Sequence, residues 1–209
     1  MSRPSRNFRA ALVALPFVMS AGIAATASAD EASWYAGGQG SAVFQDDADA
    51  NGGVTFTNEY NTGYGLGGFM GYEFGNGFRT EAELGYQNSN LDNGDGDSSA
   101  LYGLASGYYD FDMGQNQPWK PYLGAGIGYA DIRMDGTPAG AAAVDDSDMV
   151  PVWALSAGVG YDLDPQTTLF AGYRYLAAFE DPDMTNAAGQ GFELDYATHN
   201  VEAGVRYKF

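Results

Sequence analysis

Cysteine is absent from this chain of 209 residues, and basic residues are scarce. Without cysteine there is no disulfide framework, no thiolate metal site and no cysteine nucleophile. Nine Lys and Arg residues oppose 27 Asp and Glu residues, which gives a formal net charge of −18. Because the phosphate backbone of nucleic acid repels this charge, we expect no nucleic-acid partner. Beyond residue 25, no apolar run approaches the ~20 residues of a transmembrane helix.

The N-terminal segment has the composition of a secretory signal. Three arginines precede a largely apolar stretch over residues 10–25, which leads to Ala27-Ser28-Ala29 and the acidic Asp30. A basic head, an apolar middle and small residues at the cleavage site are typical of exported proteins. We expect residues 1–29 to be a signal peptide cut between Ala29 and Asp30, leaving a domain over residues 30–209. The alternative, a retained membrane helix, needs about 20 uninterrupted apolar residues.

The C-terminal segment, Asp195 to Phe209, alternates between apolar and polar residues. Val201, Val205 and Phe209 share one face with other apolar residues, whereas Arg206 and Lys208 share the opposite face. A period of two predicts a β-strand. An apolar face that ends on an aromatic residue indicates contact with lipid, and strands cross a bilayer only in closed barrels.

Segments of about ten residues with this alternation recur along the chain. They are predicted over residues 34–44, 64–74, 78–86, 101–111, 119–129, 153–163, 169–175 and 195–209. Short links at 75–77, 112–118 and 164–166 alternate with long links at 45–61, 87–99, 134–149 and 179–195. The sequence therefore predicts an all-β fold, an eight-stranded antiparallel up-and-down transmembrane β-barrel with both termini on the periplasmic side. In this topology the apolar faces carry their aromatic residues at two heights, as expected for the two membrane interfaces.

The rival fold is a soluble, lipocalin-like barrel with its apolar face inward. That fold would place Arg79, Glu81 and Glu83 outside and fill the core with the aromatic residues. The transmembrane barrel instead directs these charges into the lumen. Lone charges in a narrow lumen are costly, so we expect an ion-pair network formed by Arg79, Glu81, Glu83, Arg174, Glu202 and Arg206. The alternative is a selectivity filter, although side chains can fill an eight-stranded barrel.

Four stretches resemble a known family of membrane proteins. They are residues 76–86 (NGFRTEAELGY), 121–129 (PYLGAGIGY), 173–175 (YRY) and the ending 199–209. In order and spacing they are similar to the eight-stranded outer-membrane β-barrels of the Gram-negative envelope, a porin-like family that includes OmpA-like transmembrane domains and opacity-type surface proteins. The resemblance covers essentially all of the chain after the signal.

This resemblance implies a location in the cell outer membrane, in contact with its lipid and lipopolysaccharide. It also implies that Tyr207 and Phe209 are read by the barrel-assembly machinery and that the long links face the outside. It does not imply one activity, since similar barrels host unrelated functions. We expect no cell-wall anchoring of the kind that the peptidoglycan-binding domain gives longer OmpA-like proteins.

Some small outer-membrane barrels are enzymes that modify lipid A, and His199 is the one histidine that could serve such chemistry. A lipid-facing base of this kind needs a hydroxyl nucleophile two residues along, on the same face. That position is Val201, and the adjacent Thr198 belongs to the lumen face. We therefore expect His199 to be an interfacial side chain. We also expect no cofactor, because glycines recur within strands and form no phosphate-binding loop.

The long links are acidic and contain no Lys or Arg within residues 87–99 and 179–195. A solvated loop is the simpler interpretation. The alternative is Ca²⁺ or Mg²⁺ held by Asp92, Asp95 and Asp97, or by Asp145, Asp146 and Asp148, because these cations prefer carboxylate oxygens. We expect a non-enzymatic outer-membrane protein that presents acidic extracellular loops for envelope integrity or surface interaction. The alternatives are a transport barrel for small solutes or hydrophobic molecules and, less favoured, a lipid A-modifying enzyme.

Overall fold

A computed structural model describes most of the chain after residue 31. The described residues are 32–45, 48–52, 56–58, 62–90, 94–114, 117–138, 144–187, 189, 191–194 and 196–209. The expected cleavage site at Ala29 and Asp30 lies outside them. No α-helix within these ranges is long and apolar enough to span a membrane.

Twelve β-strands make up the regular structure of the described residues. They are β1 Ser33–Gln45, β2 Ala48–Gly52, β3 Phe56–Asn58, β4 Gly63–Glu73, β5 Phe78–Asn90, β6 Gly94–Asp110, β7 Trp119–Pro138, β8 Val144–Asp162, β9 Thr167–Ala178, β10 Asp183–Thr185, β11 Gly191–Leu194 and β12 Ala197–Lys208.

Eight of these strands close into an antiparallel barrel in the order β1-β12-β9-β8-β7-β6-β5-β4. The eight-stranded up-and-down barrel predicted from the alternation is thereby confirmed. We call the end that carries the links at 74–77, 111–118 and 163–166 the turn end, and the opposite end the loop end. Both Ser33 and Phe209 lie at the turn end, where the Phe209 amide donates to the Trp34 carbonyl at 3.0 Å.

The alternation of each barrel strand separates an outer face from a lumen face. Outer residues such as Leu84 and Ile127 are 72% and 63% exposed, whereas Glu83 on the lumen face is 3% exposed. Outer aromatic residues pair across neighbouring strands at the turn end, as in Trp119 with Tyr161, whose ring centroids are 4.6 Å apart. This apolar exterior and polar interior fit a barrel that is solvated by lipid.

At the loop end the barrel strands are longer than the sequence analysis predicted. The prediction of long loops at 87–99 and 134–149 is wrong, because β7 and β8 pair up to Gly136 and Val144 and β5 and β6 pair up to Asn90 and Asp97. The physical reason is that the alternation continues beyond the outer aromatic level. Ile132, Met134 and Val144 turn inward and are fully buried. Their burial stabilises the strand extensions.

The inward apolar residues form a core across the loop end. Its largest members are Tyr102, Leu104, Ile132, Met134, Val144, Val150, Val152, Leu176 and Tyr196. Above the barrel, β10, β11, β2 and β3 form a second sheet in that order. The two long links that contain these strands are thus joined to each other by strand pairing, for example of Phe192 with Gly52. We call the strand extensions and this second sheet together the loop-end platform.

Aromatic rings on the lumen face lie directly opposite glycines of the neighbouring strand. The pairs in register are Tyr35 with Gly71 and Phe69 with Gly37, Tyr102 with Gly85, Tyr108 with Gly124, Tyr122 with Gly158 and Phe170 with Gly204. A Cβ atom at any of these glycines would overlap the opposite ring. The glycines therefore make room for rings that fill the lumen.

Candidate functional site in the barrel lumen

The lumen carries an ion-pair network because polar residues occupy the inward positions of every barrel strand. All six residues assigned to it from sequence, Arg79, Glu81, Glu83, Arg174, Glu202 and Arg206, are buried. The structure adds Asp110 of β6, which the sequence analysis left out of the network. The network forms two layers between the turn end and the apolar core.

The layer nearer the turn end is centred on Arg79. Its Nε lies 2.9 Å from Asp110 Oδ2, and its Nη1 lies 3.0 Å from Glu81 Oε2. The Tyr35 hydroxyl donates to the same Glu81 oxygen at 3.0 Å. The guanidinium also lies 3.8 Å from the centroid of the Tyr108 ring. Arg79 is therefore held by two carboxylates and one aromatic face at once.

The second layer is centred on Arg174. Its Nη1 lies 2.7 Å from Glu83 Oε1, and its Nε lies 3.4 Å from Glu202 Oε2. The same Glu83 oxygen accepts hydrogen bonds from Gln39 Nε2 at 2.9 Å and from the Tyr102 hydroxyl at 3.0 Å. Three donors thus converge on one oxygen of a buried carboxylate.

Two of these contacts cross the whole lumen. In the barrel order β9 and β5 are four places apart, and so are β12 and β6, which makes each pair of strands diametrically opposite. Arg174 of β9 contacts Glu83 of β5, and Arg206 of β12 approaches Asp110 of β6 at 3.8 Å. Side chains therefore bridge the lumen along two diameters at two heights.

Further contacts close the lumen above and below these layers. At the turn end, Lys120 pairs with Asp162 at 2.7 Å and Lys208 with Glu73 at 2.5 Å. Towards the loop end, Gln87 Nε2 donates to Thr198 Oγ1 at 3.3 Å. Gln87 lies level with the apolar core, because it pairs with Ala100 and Ala100 pairs with Ile132. The described lumen thus passes from half-buried ion pairs through buried ion pairs to a layer in which polar side chains lie beside the apolar core.

The sequence signal that would have found Asp110, Gln39 and Tyr35 is the same inward parity that identified the other residues. Parity alone does not say which side chains share a height, because neighbouring strands of a barrel are staggered. The missing information was the register, which places Tyr35 opposite Gly71.

His199 lies on the outer face, and its ring packs between Tyr173 and Tyr175. The Tyr173 hydroxyl and His199 Nδ1 are hydrogen-bonded to each other. Thr198 is buried in the lumen, whereas Val201 is 55% exposed on the same face as His199. The structure therefore brings no hydroxyl nucleophile from either position to His199.

Of the two candidate sets of cation ligands, only Asp145, Asp146 and Asp148 lie wholly within the described residues, and these three do not share one face. Asp92 lies outside the described residues, and the side chain of Asp95 is likewise not described. Asp145 faces outward, whereas Asp146 and Asp148 face inward along the same strand. Within the described ranges, no group of three or more His, Cys, Asp or Glu residues could hold a metal ion.

Asp146 and Asp148 instead attach the second sheet to the barrel. Asp146 accepts hydrogen bonds from the Ser147 amide at 2.9 Å and from the Thr185 amide of β10 at 2.9 Å. Asp148 accepts from the Met149 amide at 2.9 Å and from the Asp183 amide at 3.1 Å. Each carboxylate of β8 therefore accepts a hydrogen bond from a β10 amide, as a backbone carbonyl would in a regular sheet. In this way β10 covers the edge of β8.

Parts of the sequence are similar to curated bacterial proteins. An uncharacterized protein of Brucella abortus is 33% identical over 138 residues, which cover 54% of this chain and 48% of the relative. Opacity protein opA66 of Neisseria gonorrhoeae is 31% identical over 147 residues, covering 57% of this chain and 56% of the relative. The chain thus spans about half the length of the curated relatives it matches.

Among solved structures, Neisserial surface protein A superposes with a TM-score of 0.59 at 24% identity. The superposition covers 86% of this chain and 100% of that protein, and shows a common fold. Residues 13–209 match the family described as the outer membrane protein beta-barrel domain. Because this match spans the whole barrel, the chain belongs to the family of outer-membrane β-barrel proteins, and its location is the outer membrane.

Proposed function

We propose that this protein is a non-enzymatic, non-conducting barrel that presents the loop-end platform outside the cell for envelope integrity or surface interaction. In this proposal the turn end faces the periplasm and residues 1–29 are removed on export. The barrel-assembly machinery reads Tyr207 and Phe209. Both residues are exposed at the turn end, where a partner could reach them.

The observation that carries the proposal is the bridged lumen. Arg174 and Glu83 meet across one diameter at 2.7 Å, and both are nearly fully buried. A hydrated ion following the axis would have to displace this pair and then cross the apolar core around Ile132 and Leu176. Breaking a buried ion pair costs several kcal/mol, about 3–5 by analogy with buried pairs in other proteins. The lumen therefore serves to hold the barrel rigid.

The platform supports the second half of the proposal. Strand pairing and an apolar core fix the loop end, in contrast to the mobile loops that the composition suggests. A rigid surface loses little conformational entropy when it binds a partner. The four-stranded sheet joins links that are far apart in the sequence, residues 45–61 and 179–195, into one surface. Contact with a partner is the use that such a surface fits best.

We also propose that divalent cations bridge the acidic loop end to lipopolysaccharide. The support is a row of carboxylates, Asp97, Asp135 and Asp145, that lie opposite one another on three adjacent strands. The row is not a metal site by itself, so phosphate oxygens of lipopolysaccharide would supply the other ligands. Like charges in register repel, and bound counter-ions offset this repulsion. Removal of cations with EDTA should lower the thermal stability of the protein in lipopolysaccharide-containing membranes and accelerate proteolysis of the links. Unchanged stability and proteolysis would contradict the proposal.

The decisive experiment is single-channel recording of residues 30–209 refolded into planar bilayers. We expect no current steps, with insertion shown separately by the heat-sensitive shift in gel mobility that folded barrels display. Stable and reproducible steps would refute the sealed lumen and support the transport alternative. A silent, inserted barrel would direct the search for function to the platform.

A further inference from the structure

A small cavity lies inside the ionic part of the lumen. Its volume is about 10 Å³. Its lining includes Arg174, Glu202 and Arg206 together with the rings of Phe69, Tyr122 and Phe170. A cavity of this size accommodates about one water molecule.

Arg206 has donors that no protein group satisfies. It is 4% exposed, and its nearest carboxylate oxygen, Asp110 Oδ2, is 3.8 Å from Nη1. Neither Nε nor Nη1 has a hydrogen-bond partner among the described residues. Arg174 Nε also lacks one within this part of the chain. Because unpaired buried donors on charged groups are costly, a ligand that accepts hydrogen bonds is expected there.

The charges around the cavity indicate which class of ligand it favours. The cavity is lined by the guanidinium groups of Arg79, Arg174 and Arg206 and by the carboxylates of Glu81 and Glu202. Two further carboxylates outside the lining, of Glu83 and Asp110, pair directly with Arg174 and Arg79. The network as a whole therefore has no excess of positive charge, which disfavours an anion. Arg206, whose Nε and Nη1 lack partners among the described residues, lines the cavity with two further guanidinium groups, which disfavours a metal cation. A water molecule can accept from a guanidinium and donate to a carboxylate at the same time.

We propose that this cavity is a binding site for a single water molecule that accepts a hydrogen bond from Arg206. The water completes the link between Arg206 and the carboxylates, which the direct distance of 3.8 Å to Asp110 leaves open. Aromatic rings form part of its wall, since Phe69 and Phe170 line it and pack with centroids 5.8 Å apart. The bound water thus lies between the aromatic wall and the ion pairs of the lumen.

X-ray radiolytic footprinting tests the proposal on the refolded barrel in lipid nanodiscs. Synchrotron radiation converts a bound water into a hydroxyl radical, which oxidises the aromatic ring beside it. We expect several-fold faster oxidation of Tyr122 and Phe170 than of Tyr196, a ring that is 4% exposed but lies away from the cavity. Radicals generated only in bulk solvent should label neither Tyr122 nor Tyr196, since both are nearly fully buried. Equal X-ray rates for Tyr122, Phe170 and Tyr196 would overturn the proposal.

Two variants identify the residue that holds the water. Arg206→Met removes the donors and should abolish the fast oxidation, whereas Arg206→Lys keeps a donor and should retain it. Equal oxidation in the two variants would overturn the role of Arg206. Gel mobility shows whether Arg206→Met folds. If it does not, the test of the water site rests on the unmodified protein, in which the oxidation rates of Tyr122 and Phe170 are compared with that of Tyr196. A dependence of the heat-induced transition on chloride, compared with gluconate, would show an anion in place of water and would also overturn the proposal.

Discussion

Replacing Arg174 with methionine should destabilise the folded barrel more than any single change at its rim. Methionine has nearly the same length but no charge, so Glu83 and Glu202 would stay buried without their cation. Removing one partner from a buried pair costs about 3–5 kcal/mol. Such a loss shifts the unfolding equilibrium by roughly two to four orders of magnitude. Glu83 would keep its hydrogen bonds from Gln39 and Tyr102, which offset part of this cost.

The matched control is Lys120→Met at the turn end. Lys120 also pairs with a carboxylate, Asp162, but its side chain is 40% exposed. An exposed pair contributes about 0–1 kcal/mol. The comparison therefore isolates the effect of burial from that of losing a positive charge. The assay is equilibrium unfolding by urea from lipid vesicles, followed by the fluorescence of the three tryptophans.

A third variant distinguishes the loss of the ion pair itself from the cost of leaving Glu83 and Glu202 buried without a cation. Arg174→Met combined with Glu83→Gln and Glu202→Gln removes the whole group, and such replacements are often neutral or stabilising. We expect it to recover most of the stability that Arg174→Met loses. The reasoning would be refuted if Arg174→Met cost no more than Lys120→Met, or if the triple variant were less stable than Arg174→Met.

Three further predictions concern other parts of the fold. Gly71→Ala places a methyl group against a lumen ring and should cost about 1–3 kcal/mol in the same assay, whereas Gly107→Ala, with open space around its position, should be neutral. Asp146→Ala removes the carboxylate that accepts from a β10 amide and should speed hydrogen exchange of β10 without lowering the barrel melting temperature, whereas Asp145→Ala should leave exchange unchanged. Hydrogen bonds from two turn amides lower the pKa of Asp164. The difference in turn exchange between the unmodified protein and Asp164→Ala should therefore be present at about pH 7 and be lost progressively as the pH falls below the ordinary Asp pKa of about 3.9 and through the lowered pKa of the folded state.

Local alternation was sufficient to predict the barrel, because each strand pairs mainly with its neighbours in sequence. The same parity assigned Arg79, Glu83 and Arg174 to the lumen. It did not reveal that Arg174 reaches Glu83, since that contact depends on the order and stagger of strands on opposite walls.

The loop end was less predictable for two physical reasons. Acidic residues such as Asp146 and Asp148 resemble solvated loop residues in composition, yet here their carboxylates bind backbone amides. The strands β2 and β11 are only 5 and 4 residues long and pair across most of the chain length. A local pattern carries little information about such distant pairing.

The pairing of lumen aromatics with glycines has a consequence for assembly. If β4 slipped by two residues against β1, the faces would be preserved, but Tyr35 would meet Phe69 or Glu73 in place of Gly71. Two bulky side chains cannot share the space that a ring and a glycine fill. Six such pairs oppose slippage at five of the eight strand contacts of the barrel. The alignment of these strands therefore depends on the sizes of facing side chains, as well as on the charges that pair across the lumen.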